Sequence, residues 1–255
     1  MLNMAFVNVT GIVTCYANYK DNDRMLTLFT RERGRVDAIA RGCRRPKNAL
    51  FSCAELFVFG EFQLFYNKER YSVTQCDVKE TFYSLRENIE SFRAAVSILE
   101  LTRLTIFEEE PNHELFSLLY YTLSFLSYGN NNPLDMALVF IIRFLLFIGV
   151  CPMLTSCVKC GTDLRKRTDL SFSPILGGAM CEKCAANSEA YAISNSALEA
   201  MRRILLLKNE NLELVRLPKT IRKELLAQLE RYCSVVLEKS SSPVACLKEL
   251  LPEIS

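Results

Sequence analysis

Residues 157–161 read Cys-Val-Lys-Cys-Gly, and residues 177–184 read Gly-Gly-Ala-Met-Cys-Glu-Lys-Cys. Each Cys-x-x-Cys pair presents two thiols on one tight turn, so that both can point at a single ion. The two turns together supply four sulfurs, which is the closed tetrahedral shell that structural zinc prefers. We therefore predict one structural zinc ion, and the predicted ligands are Cys157, Cys160, Cys181 and Cys184.

Other interpretations of these four cysteines are weaker. Four unrelated buried thiols would show this spacing only by chance, and a redox motif would need one pair rather than two. Disulfides are rare in intracellular proteins, where such pairs indicate metal or redox chemistry. Because four cysteines fill the zinc shell, no position is left for a bound water, and zinc-dependent hydrolysis is not expected.

The composition fits a globular protein of the reducing cytoplasm. The chain has 255 residues, half of them hydrophobic, which is enough for two domains, and its net charge of +2 says little by itself. The N-terminal residues lack the basic segment and the cleavage site of a secretory signal. The other seven cysteines are scattered, mostly among apolar neighbours, as buried free thiols would be. They are Cys15, Cys43, Cys53, Cys76, Cys151, Cys233 and Cys246.

Residues 136–154 could be mistaken for a membrane span. Arg143 lies near the middle of this segment, and Gly149 and Pro152 lie near its end. A charge at the centre of a bilayer is costly, and the uninterrupted apolar run is too short to cross one. We therefore predict a buried helix of a soluble domain.

The first eighty or so residues predict a β-barrel. Short segments rich in β-branched and aromatic residues alternate with turn signals, and Gly60 interrupts a longer apolar run where a bulge is expected. The predicted strands are 12–19, 25–30, 35–40, 50–66 and 69–78. This pattern favours the five-stranded oligonucleotide-binding barrel, or OB fold, over residues 1–81, although an SH3-like barrel would give a similar pattern.

Basic residues concentrate in this part of the chain. Between Lys20 and Lys47, nine basic residues stand against four acidic ones, a net charge of +5. The densest stretch, residues 41–47, contains glycine and proline and is predicted to be an exposed loop. Clustered guanidinium groups repel one another unless phosphates lie between them, which points to nucleic acid; an ordinary solvated loop is the alternative. The predicted contacts are Lys20, Arg24, Arg31, Arg33, Arg35, Arg41, Arg44, Arg45 and Lys47.

From residue 82 onward the pattern predicts helices. Apolar residues with helical spacing mark the segments 92–106, 115–128, 135–148, 196–205 and 218–236. Ser196 and Glu199 have the spacing of a capping box, which predicts a helix start there. The predicted fold class is α+β: the OB barrel is followed by an α-helical domain, 82–255, into which the zinc module, 154–188, is inserted.

No catalytic motif stands out in the sequence. The chain has neither a Gly-x-x-x-x-Gly-Lys phosphate loop nor a Gly-x-Gly-x-x-Gly sequence. The single histidine, His113, has no nucleophile motif to act with and is expected on the surface. The run Glu108-Glu109-Glu110 is expected to be a solvated helix end, because adjacent helical residues do not face one ion. An enzyme is therefore not predicted.

Taken in order, these features resemble the RecO family of bacterial DNA repair proteins. In the barrel, the resemblance rests on Leu28-Phe29-Thr30, Gly34 and Ala40-Arg41-Gly42-Cys43-Arg44-Arg45-Pro46-Lys47. In the helical part, it rests on Leu145-Leu146, Gly149, Pro152 and the two cysteine pairs with their neighbouring glycines. The match is collinear over most of the chain, whereas roughly the last sixty residues match only as helices.

The resemblance implies a recombination mediator of the RecFOR pathway, cytoplasmic and associated with the nucleoid. Similar proteins bind single- and double-stranded DNA, anneal complementary strands without ATP and act with the ring-forming partner RecR. They help RecA to replace single-stranded-DNA-binding protein, whose acidic, hydrophobic C-terminal tail docks on the helical domain. Some relatives lack the cysteines, so that zinc would support the fold and need not touch DNA.

Docking of an acidic tail needs a basic residue beside an apolar groove. Arg143 is the candidate, and an internally paired or surface arginine is an equal alternative. Two other functions stay open at this point: a protein-interaction scaffold that docks partner tails, and an RNA-binding OB-fold protein, since contacts to the 2′-hydroxyl are not visible in a sequence.

Overall fold

The computed structural model describes residues 5–238 and 243–251, and the chain divides into two compact units. The first unit comprises the residues up to Ser84 together with Thr102–Leu123. The second comprises Leu85–Leu101 together with the residues from Ser124 onward.

A closed five-stranded barrel forms most of the first unit. Its strands are β1 (Ala5–Tyr19), β2 (Asp23–Thr30), β3 (Gly34–Ala40), β4 (Phe59–Asn67) and β5 (Arg70–Glu80). Around the barrel they follow the order β1-β2-β3-β5-β4, and β4 pairs with β1 to close it. Only the short contact between β3 and β5 is parallel. This barrel confirms the predicted OB-type fold.

Alternating burial explains why these segments form strands. In β2 and β3 the side chains of Leu26, Leu28, Val36 and Ala38 point into the barrel and are almost completely buried. Successive strand residues face opposite sides of a sheet, so that every second apolar residue joins the core. At Gly60 the pairing of β4 with β5 shifts register, as the sequence suggested.

The predicted strand 50–66 is wrong in its first half. Residues 41–58 form turns, and β4 begins only at Phe59. Leu50, Cys53 and Ala54 are nevertheless buried in the barrel core. Burial in turns gives the same apolar composition as burial in a strand, so that the pattern alone could not separate the two.

Helical segments complete the first unit. Helix α1 (Ile89–Arg103) contributes its last residues and α2 (His113–Tyr128) its first part. From α2, the ring of Phe116 packs edge-on against Phe29 with centroids 5.4 Å apart. Tyr120 packs against Phe59 at 4.9 Å. Aromatic side chains therefore form the contact between α2 and the barrel.

A buried helix forms the centre of the second unit. Helix α3 (Pro133–Phe147) is buried along Leu134–Leu145, and Asn132 caps its N-terminus by accepting from the backbone N–H groups of Leu134 and Asp135. The helix predicted within 136–154 is confirmed. Among the residues that the structure describes, no helix is both long enough and apolar enough to cross a membrane.

The second unit also contains most of α1, the end of α2, a small sheet, one short helix and two longer ones. The sheet contains β6 (Leu170–Ser173), β7 (Gly178–Cys181) and β8 (Tyr191–Ala192) in the order β7-β6-β8. The helices are α4 (Glu182–Ala185), α5 (Asn195–Leu206) and α6 (Lys219–Val236), and 3-10 helices cover Tyr83–Arg86, Asn209–Leu214 and Pro243–Leu250. A barrel followed by helices with a cysteine-bearing sheet confirms the predicted α+β class.

The start of α5 differs from the prediction by two residues. The capping residue is Ser194, whose hydroxyl accepts from the backbone N–H of Ala197. The carboxylate that completes the cap belongs to Glu224 of α6, which accepts from both the backbone N–H and the hydroxyl of Ser194. The prediction of a capping box at Ser196 is therefore wrong. The cap is Ser194, and the acidic residue that binds it comes from another helix.

Candidate metal centre and nucleic-acid interface

The four predicted cysteine ligands lie together at one end of the small sheet. Their Sγ atoms all lie within 4.8 Å of one another, and those of Cys160 and Cys181 are 3.8 Å apart. A tetrahedral site with metal–sulfur bonds of about 2.3 Å has sulfur–sulfur edges of about 3.8 Å. The geometry and the donor atoms therefore fit a single metal ion.

Two glycines allow the two cysteine turns to meet. Gly161 has a φ of +74°, and its N–H donates to the carbonyl of Cys157 at 2.8 Å to close the first turn. At Gly178 a Cβ atom would lie 2.4 Å from the carbonyl oxygen of Met153. This close approach lets the segment before the first pair run beside β7, which ends in Cys181.

Hydrogen bonds shift the pKa values of two of these thiols in opposite directions. A hydrogen bond with the Thr162 hydroxyl, 3.2 Å away, lowers the pKa of Cys160 to about 6. Hydrogen bonds with Cys160 and Cys181 raise the pKa of Cys184 to about 12. Four thiolates this close would repel one another without a positive charge between them. These cysteines are positioned to hold a metal ion.

A groove of mixed charge runs along the barrel between the β1–β2 and β4–β5 turns. It consists of two adjoining cavities of about 550 and 880 Å³, both lined by Tyr19, Ile39, Arg70 and Tyr71. We call these two cavities the barrel groove. Five cations line it, namely Lys20, Arg35, Arg41, Lys68 and Arg70. Five carboxylates line it as well, namely Asp23, Asp37, Glu69, Glu108 and Glu109. OB folds bind oligonucleotides on this part of the barrel, between these two turns.

Aromatic rings lie among these cations. The rings of Tyr66 and Tyr71 are 4.8 Å apart, and the ammonium group of Lys20 lies 5.5 Å from the ring centre of Tyr19. Of these residues, the sequence analysis singled out only Lys20 as a contact. Tyr19 precedes Lys20 at the end of β1, and Tyr66 and Tyr71 flank the turn between β4 and β5. That turn also carries Lys68 and Arg70, and aromatic residues on either side of basic ones were the signal that could have found it.

The loop 41–47 is exposed and is attached to the β1–β2 turn. The N–H of Gly42 donates to the carboxylate of Asp23 at 2.8 Å, and the guanidinium of Arg44 donates to the carbonyl of Asp21 at 3.0 Å. Within the described ranges, neither Arg45 nor Lys47 forms an ion pair. The loop therefore presents cations beside the barrel groove.

The other predicted cations have different surroundings. Arg24 donates to the carbonyl of Ala54 and to Glu55, both at 2.6 Å, and its guanidinium stacks on Tyr16. Its side chain is only 15% exposed, and its charge is therefore used in contacts within the barrel. Arg31 is exposed in the β2–β3 turn.

Besides Arg24, two more of the predicted cations have carboxylate partners. Arg35 pairs with Asp37 of its own strand at 2.8 Å. Arg33 pairs with Glu109, a residue of the α1–α2 loop, at 2.6 Å. These pairs are partly exposed, and a phosphate that bound either arginine would have to compete with a carboxylate.

Arg143 is buried inside the second unit. Its guanidinium donates to the carbonyls of Leu205 and Leu207, at 2.7 and 2.6 Å, and to the side chain of Asn209. These contacts satisfy carbonyl groups at the C-terminal end of α5, where a positive charge is favourable. Arg143 is thus the internally paired arginine that the sequence analysis held as the alternative.

An apolar groove lies on another part of the second unit, between α5 and the segment 214–221. The groove has a volume of about 510 Å³, and Arg203 and Arg216 flank apolar residues such as Ile204 and Leu214. Leu214 is 70% exposed. Sequence reasoning missed this groove, because its two walls come from separate segments.

Comparison with known proteins agrees with this architecture. The family model described as "Recombination protein O N terminal" matches residues 4–82, and the model described as "Recombination protein O C terminal" matches residues 86–242. The chain is 33% identical to the DNA repair protein RecO of Acetivibrio thermocellus over 97% of this chain and 98% of that protein. It is 32% identical to the DNA repair protein RecO of Symbiobacterium thermophilum over 92% of each chain. The names of these families and relatives refer to recombination and DNA repair, as the resemblance predicted, and the chain belongs to the RecO family.

Proposed function

We propose that this protein is a non-enzymatic recombination mediator in DNA repair that binds DNA and anneals complementary strands without ATP. In this proposal it acts with RecR in the cytoplasm, near the nucleoid, and helps RecA to replace single-stranded-DNA-binding protein. Membership of the RecO family supports the proposal. The observation that carries it is the barrel groove, where cations and aromatic rings share one surface.

The groove suits a single strand held by its bases and its phosphates. Tyr19 and Tyr71 offer rings on which bases can stack, and Lys20 and Arg70 offer charges for the backbone. Annealing requires two negatively charged backbones to approach each other, and cations that contact both backbones lower the repulsion. The exposed loop 41–47 supplies such cations for the second strand. No covalent bond is made or broken, so that no catalytic residue is needed.

We propose zinc as the metal of the four-cysteine site. Four sulfurs at tetrahedral spacing are a common ligand set of structural zinc. When bound, zinc would act as a crosslink between the first cysteine turn and the end of β7. Cys157, Cys160, Cys181 and Cys184 would hold it, and its binding free energy would stabilise the module.

For the acidic, hydrophobic tail of single-stranded-DNA-binding protein, we propose the groove between α5 and the segment 214–221. Its apolar floor suits the hydrophobic residues of such a tail, and Arg203 and Arg216 suit the acidic ones. Arg143 would contribute only indirectly, by fixing the C-terminal end of α5.

The test is annealing of complementary labelled oligonucleotides coated with single-stranded-DNA-binding protein, in the absence of ATP. The wild-type protein should accelerate annealing, and the variant Arg44→Glu/Arg45→Glu/Lys47→Glu should lose that acceleration. A matched control reverses three exposed cations of the second unit outside both the groove proposed for the tail and the cysteine pairs, Lys166, Arg167 and Lys223, and should remain active. No acceleration by the wild-type protein would reject the mediator and leave a scaffold, whereas tighter binding of RNA than of DNA would favour an RNA-binding protein.

A further inference from the structure

The loop between α1 and α2 carries the acidic run Glu108–Glu110 and lies against the barrel. The sequence suggested a solvated helix end, but α1 already ends at Arg103. Glu108 forms an antiparallel bridge with Gly34, and the N–H of Arg35 donates to the carbonyl of Phe107 at 2.9 Å. The acidic run is therefore attached to the first residues of β3.

Gly34 is the residue that admits this loop. Its φ is +66°, and a Cβ atom would lie 2.4 Å from the carbonyl oxygens of both Phe107 and Glu110. Any side chain at this position would collide with backbone, which cannot move aside as a flexible side chain can. The position of the α1–α2 loop against the barrel thus depends on the glycine at position 34.

Held in this way, Glu109 reaches a cation of the candidate DNA-binding surface. Its Oε1 atom lies 2.6 Å from Nη1 of Arg33, and the same nitrogen donates to the hydroxyl of Tyr71 at 3.2 Å. Glu109 and Tyr71 both line the barrel groove. The carboxylate therefore occupies a position that the phosphate of a strand stacked on Tyr71 would otherwise take.

We propose that Glu109 is a built-in competitor of nucleic-acid phosphate for Arg33, an inference that rests on the proposed function. The carboxylate satisfies Arg33 while the groove is empty, and a strand must displace it to gain that contact. Binding is weakened at this end of the groove, which favours release of the strands once they have paired. An annealing protein needs such release because it must let go of its duplex product.

The expected size of the effect follows from the exposure of the pair. The side chains of Arg33 and Glu109 are 33% and 65% exposed, and ion pairs at that exposure are weak. Replacing Glu109 by glutamine should therefore tighten single-strand binding about 2- to 5-fold. Because Arg33 gains a phosphate contact, the slope of log affinity against log salt should steepen by about 0.7.

The matched control is Glu110→Gln, which removes the same charge from the same loop. No ion pair of Glu110 is present in the part of the chain that the structure describes. The experiment measures the affinity of wild type, Glu109→Gln, Glu110→Gln, Arg33→Ala and Arg33→Ala/Glu109→Gln for a fluorescent oligothymidine at several salt concentrations. Thermal unfolding of each variant verifies that it is folded.

A larger gain for Glu109→Gln than for Glu110→Gln, abolished in the Arg33→Ala background, would support the inference. Equal gains for the two glutamine variants would overturn it, since the loop would then act only through its overall charge. A gain in strand affinity from Glu109→Gln that persists in the Arg33→Ala background would also overturn it. If the wild-type protein binds no strand at all, the proposed function fails and this inference fails with it.

Discussion

The carboxylate of Asp135 is fully buried in the first turn of α3 and is bound by the guanidinium of Arg222 from α6. The two residues are 87 positions apart in the chain. The second oxygen of Asp135 also accepts from the backbone N–H of Leu217. One buried carboxylate thus joins the central helix, the last long helix and the segment that leads into it.

We predict that Asp135→Ala lowers the free energy of unfolding by about 3–5 kcal/mol. The substitution leaves the guanidinium of Arg222 without its buried partner, and breaking a buried ion pair on one side costs about this much. Urea denaturation followed by circular dichroism measures the change. Glu210→Ala, at an exposed position, is the control and should change stability by less than about 0.5 kcal/mol. Equal stability of the two variants would contradict the prediction.

A pair of glycine substitutions tests the construction of the metal module. Gly178→Ala should cost about 3 kcal/mol, because its Cβ would lie 2.4 Å from one backbone atom of Met153 and 2.8 Å from another. Gly161→Ala should cost only about 1–2 kcal/mol of left-handed strain, because no atom lies within 4 Å of that Cβ. Denaturation and metal content, measured on both variants, should rank them in this order.

Metal removal should destabilise the second unit. A strong chelator under reducing conditions should extract one zinc ion per chain and lower the unfolding temperature, because metal binding adds its free energy to folding. The loss of stability on metal removal should shrink as the pH falls, since protons compete with zinc for the thiolates and the ion then contributes less binding free energy. Zinc added back in excess should restore the unfolding temperature. Metal analysis that finds no zinc in metal-replete protein would reject the assignment.

The sequence predicted those parts of the molecule whose geometry is local. Cys157 and Cys160 lie on a tight turn, and Cys181 and Cys184 lie where β7 leads into α4, so that the short spacing within each pair was enough to indicate a metal site. The alternation in β2 and β3 was enough to predict barrel strands. The sequence pattern wrongly predicted a strand at residues 50–58. These residues are apolar because they fill the barrel core from turns.

Contacts between distant segments could not be predicted in this way. The carbonyl groups that accept from the guanidinium of Arg143 lie more than sixty positions away in the chain. Nothing in the sequence around Arg143 identifies them. The same holds for the barrel groove, where Arg70 and Tyr71 join Lys20 only because the start of β5 pairs with β3. Glu109 reaches Arg33 across 76 positions for the same kind of reason.

The buried thiol of Cys233 should make the second unit sensitive to alkali. Burial raises the pKa of Cys233 from 9.0 to about 12. The folded protein therefore holds this proton more tightly than the unfolded chain does. The corresponding stability is present below about pH 9 and is lost as the pH rises towards 12. Denaturation at pH 8 to 11 should show a smaller fall in stability for Cys233→Ala than for wild type. Parallel curves would contradict the prediction.

Base stacking on Tyr71 should supply much of the single-strand affinity of the barrel groove. We predict that Tyr71→Ala weakens binding of an oligothymidine about 5- to 100-fold, because a stacked base contributes about 1–3 kcal/mol. Tyr71→Phe keeps the ring and loses only the hydroxyl that accepts from Arg33, so that it should stay within a few-fold of wild type. Tyr83→Ala, which removes a 63% exposed ring outside the groove, should bind as wild type does. Fluorescence anisotropy at fixed salt measures all three variants. If Tyr71→Ala binds as tightly as Tyr71→Phe, the bases do not stack on this ring, and binding along the groove is carried by its cations alone.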